Sequence, residues 1–286
     1  MKVLFGTDIT KDKKNTAVDG DEFILRSLPE SLTEKRNKAF EKEIDRAGST
    51  AMRFRIIQVI GSILLFFGLL GIVEVFEDEA GMSLSLMREA ILQNILWFSV
   101  LFVAFSLGVL ILVICEAKRK KKMTEYEKDD AIEDKKYIQQ ALTVLGVPKS
   151  AKNVDIICPN YVIRNGEPVL KPLKVFGLLN VELKLFSDES AVYIANAENL
   201  YFIGFTDIER ISKHNGKLNL MFWNKNIGYN EEKYQKYNIK KSGESNYAIS
   251  EYYSLDINRD GEIYKMYFPP YELDVIERLT GIKYEE

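Results

Sequence analysis

The sequence has little of what most enzymes and disulfide-rich folds require. It contains one histidine, His214, and two cysteines, Cys115 and Cys158, in 286 residues. A single imidazole excludes nearly every imidazole-based mechanism. Two thiols cannot form a disulfide framework, so most of the chain is predicted to lie in a reducing compartment. The net charge of −3 also argues against a nucleic-acid-binding protein, whose binding domain would be strongly basic.

Two long segments lack charged residues. Residues 56–73 contain one glutamine and no charge, and residues 91–115 contain no charge. A helix of about 20 apolar residues is long enough to cross a hydrocarbon core of about 30 Å. Because buried helices of soluble proteins seldom stay uncharged on every face for this length, the sequence predicts transmembrane helices at about 56–76 and 91–115.

Basic residues flank these predicted spans on one side. Arg53 and Arg55 precede the first span and a basic run at 118–122 follows the second, whereas the loop 74–90 has five acidic residues and one arginine. The positive-inside rule therefore predicts a multi-pass protein of the cytoplasmic membrane, with both termini cytoplasmic and a short acidic loop outside.

Small residues recur on both spans. Gly61, Gly68 and Gly71 lie on the first, and Ala104 and Gly108 are four residues apart on the second. Small residues let helix backbones approach closely. They favour packing of the two helices against each other, and homo-oligomerisation through the same helices is the alternative.

The first 52 residues are mostly polar. Residues 1–5 and 22–26 are predicted as short strands on their hydrophobic pattern. A capping-box spacing then predicts a charged helix from Leu32 to about Ala47.

From about residue 153 the hydrophobic pattern changes to short strands. The segments predicted as strands are 154–158, 161–164, 181–187, 190–196, 200–205, 208–213, 217–223, 247–257 and 262–268. Asn165-Gly166, Asn215-Gly216 and Asp260-Gly261 are turn signals between them. Prolines then start a C-terminal amphipathic helix that Gly281 ends. This spacing indicates an antiparallel sandwich or barrel.

The order of strands and final helix resembles the bacterial pleckstrin-homology-like domains. Residues 189–223 carry the resemblance: two strands lead into an F-x-D-I-x-x-I turn and then into a glycine-tipped hairpin. The similarity extends over about 153–284, and the chain looks like one of an uncharacterised group of bacterial two-helix membrane proteins. It implies a binding or scaffolding module, because the fold itself carries no chemistry. Lys171 and Lys174 are the basic residues near the first hairpin, too few to carry over phosphoinositide binding.

The predicted fold class is an α+β membrane protein: a transmembrane helical hairpin with a cytosolic antiparallel β-barrel or sandwich and a C-terminal helix. Its predicted parts are a cytosolic arm (1–52), the hairpin (53–116), a basic juxtamembrane segment with a linker helix (117–150) and the pleckstrin-homology-like domain (151–286).

Two candidate binding surfaces follow from the pattern of charge and aromatics. The first is the basic run at the end of the second span, which stops the helix at the interface and is a candidate contact for anionic lipids: Lys118, Arg119, Lys120, Lys121 and Lys122. The second, a candidate partner surface, interleaves aromatic residues with lysines: Trp223, Tyr229, Tyr234 and Tyr237. A solvated hairpin loop with tyrosines packing its base is the alternative for the second.

Signals for catalysis and metal binding are weak. Asp256 to Gly261 reproduces the first six positions of a calcium-binding loop, but the twelfth position is Tyr267 instead of glutamate. A hairpin turn at Asp260-Gly261 is the simpler prediction. His214 lies in a turn-like context and is predicted to be a solvated surface group. No metal site, cofactor or catalytic residue is predicted.

The sequence thus predicts a non-catalytic membrane protein that presents a small β domain at the inner membrane face as a binding or scaffold module. Its expected partners are the lipid bilayer and a protein of unknown identity, and not nucleic acid. The alternative is a sensor or transport accessory subunit that uses the acidic outer loop around Glu77, Asp78 and Glu79.

Overall fold

The computed structural model describes residues 1–10, 17–77, 92, 95–172, 177–222, 236–237, 239–241 and 246–285. These residues form two compact units. The helical unit is Glu30–Tyr137, and the β unit combines Met1–Pro29 with Ile138–Glu286. Part of the predicted N-terminal arm, residues 1–29, therefore belongs to the β unit.

Two long helices dominate the helical unit. Helix α1 is Glu30–Glu77 and helix α2 is Ile95–Val144. The separate charged and linker helices expected from the sequence are continuous with the apolar segments. Thr124 lies inside α2, where its hydroxyl donates to the carbonyl of Lys120 at 3.0 Å.

Helices α1 and α2 pack closely through the glycines that the sequence indicated. A Cβ added at Gly68 would lie 2.7 Å from the backbone nitrogen of Phe105, and one at Gly108 would lie 2.6 Å from that of Leu65. The two helices run antiparallel, since Gly61 meets Leu112 while Gly68 meets Phe105. The predicted use of these small residues in helix packing is confirmed.

Replacing Gly108 with alanine should therefore loosen the helix pair. Overpacking against the backbone of Leu65 is expected to lower the free energy of unfolding by about 1–3 kcal/mol. Gly48→Ala is the matched control, because a Cβ at Gly48 meets nothing within 4 Å and alanine is the better helix former. Thermal unfolding of both variants in detergent measures the difference. Equal midpoints for the two would contradict this account of the packing.

The β unit is built from strands of two to fifteen residues. Their bounds are β1 Lys2–Val3, β2 Thr7–Asp8, β3 Ile24–Ser27, β4 Lys152–Cys158, β5 Asn160–Arg164, β6 Glu167–Lys171, β7 Leu178–Ser187, β8 Ala191–Ala195, β9 Asn199–Gly204, β10 Ile208–Phe222, β11 Lys240–Lys241, β12 Asn246–Arg259 and β13 Glu262–Phe268. Helix α3, Leu273–Thr280, follows and ends at Gly281 in the left-handed conformation, φ 73°, as predicted.

Among the described strands, five close a barrel-like ring. β4 pairs with β13, β13 with β12, β12 with β10, β10 with β7, and β7 with β4. All of these pairings are antiparallel except β7 with β10. From β7 the sheet continues through β8 and β9 to β3, and β2, β5 and β6 form a separate small sheet.

The N-terminal strands are integral to this architecture. β1 pairs with β13, β2 with β5, and β3 with β9. The side chains between them enter the apolar core, where Leu4 and Phe23 are buried with Ile276 of α3. Residues 1–29 therefore complete a core whose other members come from Val154 and later residues of the chain.

Two turns match the sequence expectation and one does not. Asn165-Gly166 and Asp260-Gly261 have positive φ at both residues, as a two-residue hairpin turn requires. The glycine-tipped hairpin predicted at Asn215-Gly216 is wrong. β10 runs straight through it and stays paired with β12, with a register shift between Asn215 and Leu218. One extra residue on β10 makes this a β-bulge. The motif on which the pleckstrin-homology-like resemblance was based therefore has no hairpin at this position.

Candidate functional site

A dense group of polar side chains lies on β10, β12 and β13. Its members, called the Asp256 cluster below, are Arg210, Ser212, His214, Ser254, Asp256 and Lys265. They alternate along the strands with Ile211, Leu255 and Met266, which belong to the apolar core. Since side chains alternate between the faces of a strand, the cluster lies on the face opposite this core.

Asp256 is the acceptor at the centre of the cluster, and its side chain is only 2% exposed. Its Oδ2 accepts hydrogen bonds from the Ser212 hydroxyl at 3.0 Å and from Arg210 Nε at 3.2 Å. Its Oδ1 accepts one from the Ser254 hydroxyl at 2.8 Å. A buried carboxylate needs this many partners to offset its lost hydration.

Lys265 supplies the buried positive charge. Its ammonium lies 3.4 Å from both oxygens of Asp256 and 3.9 Å from the carboxylate of Glu167 on β6. The Lys265 side chain is 6% exposed. The buried charges of Asp256 and Lys265 therefore compensate each other's lost hydration.

His214 is half-buried in the same cluster. Its Nε2 lies 2.9 Å from the Ser254 hydroxyl, and its ring stacks on Tyr252 at 5.1 Å between centroids. Burial, and secondarily the charge of Lys265, lowers the pKa of His214, so the ring is neutral at neutral pH. The expectation of a solvated surface histidine is wrong, because the predicted turn is a paired strand.

Serine, histidine and aspartate meet here, but not as a nucleophilic triad. In such a triad the carboxylate orients the histidine, and the serine faces the substrate. Here the carboxylate of Asp256 accepts from Ser254 itself, and Ser254 is 0% exposed. This arrangement stabilises the β12–β13 hairpin and does not present a nucleophile.

A second buried network joins the ring to the segment before α3. Asn180 Nδ2 donates to the Tyr247 hydroxyl at 2.7 Å, the hydroxyls of Tyr247 and Tyr271 are 2.8 Å apart, and Tyr271 donates to Asp155 at 2.9 Å. Glu272 accepts from the backbone nitrogen of Asp155 at 3.2 Å. These five residues are all buried, so the network orders the interior and offers no surface.

Metal and thiol chemistry find little support among the residues that the structure describes. Those residues contain no group of three or more His, Cys, Asp or Glu side chains that could hold a metal ion. Asp256, the first position of the calcium-loop pattern, already pairs with Lys265. Burial among apolar side chains raises the pKa of the Cys158 thiol to about 12, which keeps it protonated and unreactive.

The predicted aromatic partner surface is only partly described. Trp223, Tyr229 and Tyr234 lie outside the described residues. Tyr237 is half-buried, and its ring lies 6.3 Å from that of Tyr271, edge to face. This member of the set packs on the β unit, in keeping with the alternative in which tyrosines pack beneath a loop.

The predicted lipid contact is exposed on α2. All five residues from Lys118 to Lys122 are exposed, and so are Arg53 and Arg55 on α1. Contacts between the helices set their register: the Cys115 thiol meets the Phe54 carbonyl at 3.6 Å, and the Thr50 and Tyr126 hydroxyls are 3.2 Å apart.

That register places both arginines of α1 level with the basic run of α2. We call these seven cations the basic collar: Arg53, Arg55, Lys118, Arg119, Lys120, Lys121 and Lys122. The sequence indicated Arg53 and Arg55 for topology alone, and only the pairing of the helices joins them to the run.

Next to the collar, both helices expose apolar surface. In the described part of the chain, two helices are long and apolar enough to cross a membrane, with windows of mean hydropathy 2.0 and 2.9. Only 11% and 12% of those windows is buried. Beside the collar, Ile56 is 53% exposed and Val113 61%. A core helix of a soluble protein would be mostly buried.

No protein-family model, curated protein or solved structure matches this chain. The resemblance to the pleckstrin-homology-like domains therefore stays a prediction.

Proposed function

We propose that this protein is an integral protein of the cytoplasmic membrane that anchors its β unit at the inner face as a non-catalytic binding or scaffold module. The observation that carries the proposal is the order of the chain. The two apolar helices lie between two parts, Met1–Pro29 and Ile138–Glu286, that fold together as one unit.

This order supports an even number of membrane crossings. Strand β1 hydrogen-bonds with β13, and β3 with β9, so Met1–Pro29 must be on the same side of a membrane as Ile138–Glu286. Two crossings satisfy this requirement, and one crossing would separate the paired strands. This requirement is independent of hydropathy and favours a hairpin with both termini on one side.

The charge pattern supports the cytoplasmic side for those termini. The basic collar lies at the ends of the apolar segments that are nearest to the β unit in sequence, and the sequence between the helices is acidic. An inverted hairpin would place seven cations outside, against the insertion bias. It would also require translocation of the whole β unit with its unpaired Cys158 into an oxidising space.

The burial of the main polar clusters of the β unit bears on its role in binding. The central residues of the Asp256 cluster and of the tyrosine network are buried and hydrogen-bonded to one another, so recognition is left to the outer surface and the loops. The barrel-like ring followed by a C-terminal helix also supports a pleckstrin-homology-like domain, whose known role in other proteins is recognition.

Topology is tested by labelling introduced cysteines in intact cells. We expect Ser83→Cys, in the sequence between the two apolar segments, to react with an impermeant thiol reagent. Ser242→Cys, in the C-terminal part, should react only after the membrane is permeabilised. Cys115 is buried and Cys158 is half-buried, and the unsubstituted chain measures the background labelling of these two thiols. Labelling in the opposite pattern would overturn the orientation.

Binding by the β unit is tested by crosslinking and capture of the full chain from native membranes. A triple substitution, Trp223→Ala, Tyr229→Ala and Tyr234→Ala, is expected to abolish capture of a specific protein. Leu25→Ala is the control, since it removes a 55% exposed apolar side chain from β3. Equal capture by both variants would rule out the aromatic surface as the binding site.

A further inference from the structure

The basic collar surrounds the helix pair at one level. Five consecutive residues at about 100° each cover the whole circumference of α2. Arg119 and Lys122 lie nearest to α1, since they share the face of Cys115 and Tyr126, which contact that helix. Lys118, Lys120 and Lys121 face outward.

Little negative charge offsets the collar at this level. Among the described side chains, Glu116 and Glu125 are the acidic residues within one turn of the collar on α2, and Glu116 already has partners. It forms an ion pair with Arg119 at 2.9 Å and accepts a hydrogen bond from Gln58 at 3.4 Å. Its partner Arg119 is the collar cation with a carboxylate within 4 Å in the described part of the chain.

A shallow, open apolar groove on α1 begins at the collar, and the residues that line it all belong to this helix. Its first part is lined by Met52, Arg55 and Val59. A second part continues from Arg55 and Val59 to Phe66. The groove thus runs along the outer face of α1, past one guanidinium at the level of the collar.

We infer that this groove binds one anionic phospholipid, with its phosphate on Arg55 and an acyl chain along Val59 and Phe66. A guanidinium matches a phosphate with two parallel hydrogen bonds. The collar selects for net negative headgroups, because a positive choline would be repelled by six further cations. This inference rests on the proposed membrane insertion and names the lipid class for it.

The test compares lipids by native mass spectrometry of the full chain in detergent. The dissociation constant of the first bound lipid is measured with phosphatidylglycerol and with phosphatidylcholine as probes. Phosphatidylglycerol should bind at least fivefold more tightly, which is about the effect of one basic residue near an anionic surface. Equal constants for the two lipids would overturn the inference.

Two matched pairs of variants locate the site. Arg55→Gln should weaken phosphatidylglycerol binding about fivefold, whereas Arg53→Gln removes the same charge two residues away, outside the groove, and should change it less than twofold. Val59→Trp should fill the groove and weaken binding. Val103→Trp should not, although Val59 and Val103 are similarly exposed at 56% and 55%.

Other occupants would give different results. Equal losses in Arg53→Gln and Arg55→Gln, or binding of inorganic phosphate as tight as that of the lipid, would show that the groove plays no part. A dimer that Val59→Trp dissociates would assign the groove to a second copy of the chain.

If alkaline carbonate extracts the protein from membranes, the proposed insertion itself fails. Loss of lipid selectivity in a carbonate-resistant protein would overturn this inference alone.

Discussion

A fragment of residues 150–286 is expected not to fold cooperatively, although it contains most of the strands. It lacks Val3, Leu4, Phe5 and Phe23, which are all buried in the β unit. At about 1.5–3 kcal/mol for each buried apolar side chain, their loss removes roughly 6–12 kcal/mol. This is comparable with the whole stability of a typical domain, about 5–15 kcal/mol.

The matched control restores the missing strands without the helical unit. In this control variant, a short Gly/Ser linker replaces residues 30–137 and joins Pro29 to Ile138. A short linker suffices because Arg26 Nη1 already lies 3.4 Å from the Leu145 carbonyl. We expect the linked chain to show a β-rich circular dichroism spectrum and one cooperative urea transition. The same transition midpoint in the 150–286 fragment would show that residues 1–29 are dispensable.

Asp256→Ala is expected to destabilise the β unit strongly. It leaves the ammonium of Lys265 buried without its carboxylate at 3.4 Å. Breaking a buried ion pair from one side typically lowers the free energy of unfolding by about 3–5 kcal/mol. Urea unfolding of the linked β unit measures the loss.

Two further variants distinguish the cost of leaving a charge buried and unpaired from the cost of losing any salt bridge. Adding Lys265→Met to Asp256→Ala should recover part of the stability, because no unpaired charge remains. Asp207→Ala breaks the half-exposed pair with Arg259 at 3.1 Å and should lower stability by only about 0–1 kcal/mol. If Asp256→Ala were no worse than Asp207→Ala, the Asp256–Lys265 pair would not be a buried pair in solution.

Local signals account for the part of the fold that the sequence predicted. The absence of charge over 56–73 and 91–115 indicated the long helices, and positive-φ dipeptides marked two hairpins. The C-terminal helix was found because Ile276 and its neighbours recur at helical spacing and Gly281 ends it. Each of these signals lies within a single short segment of the chain.

Contacts between distant residues account for what was missed. Nothing in residues 1–8 shows that β1 pairs with β13, which lies near the opposite end of the chain. The Asp256–Lys265 pair did have a signal. Counting outward from the Asp260-Gly261 turn places these two residues directly opposite each other. Their burial could not be foreseen, since charged residues that alternate with apolar ones along a strand usually face solvent.

The candidate lipid site could likewise be predicted only in part from the sequence. Charge alone indicated the run from Lys118 to Lys122, but the groove beside Arg55 depends on which face of α1 the glycines turn toward α2. Small residues predict that two helices approach closely, and only the structure shows which face is left open.

The insertion of the helical unit between β3 and β4 also sets an order of events during synthesis. Residues 1–29 leave the ribosome first, and their partners in β9 and β13 follow only after the whole of Glu30–Tyr137 has been made. At about 5–20 residues per second, that intervening stretch alone takes roughly 5–20 s. During this time the first strands have no partner. Under the proposed membrane insertion, the apolar helices therefore reach the translocation machinery before the β unit is complete.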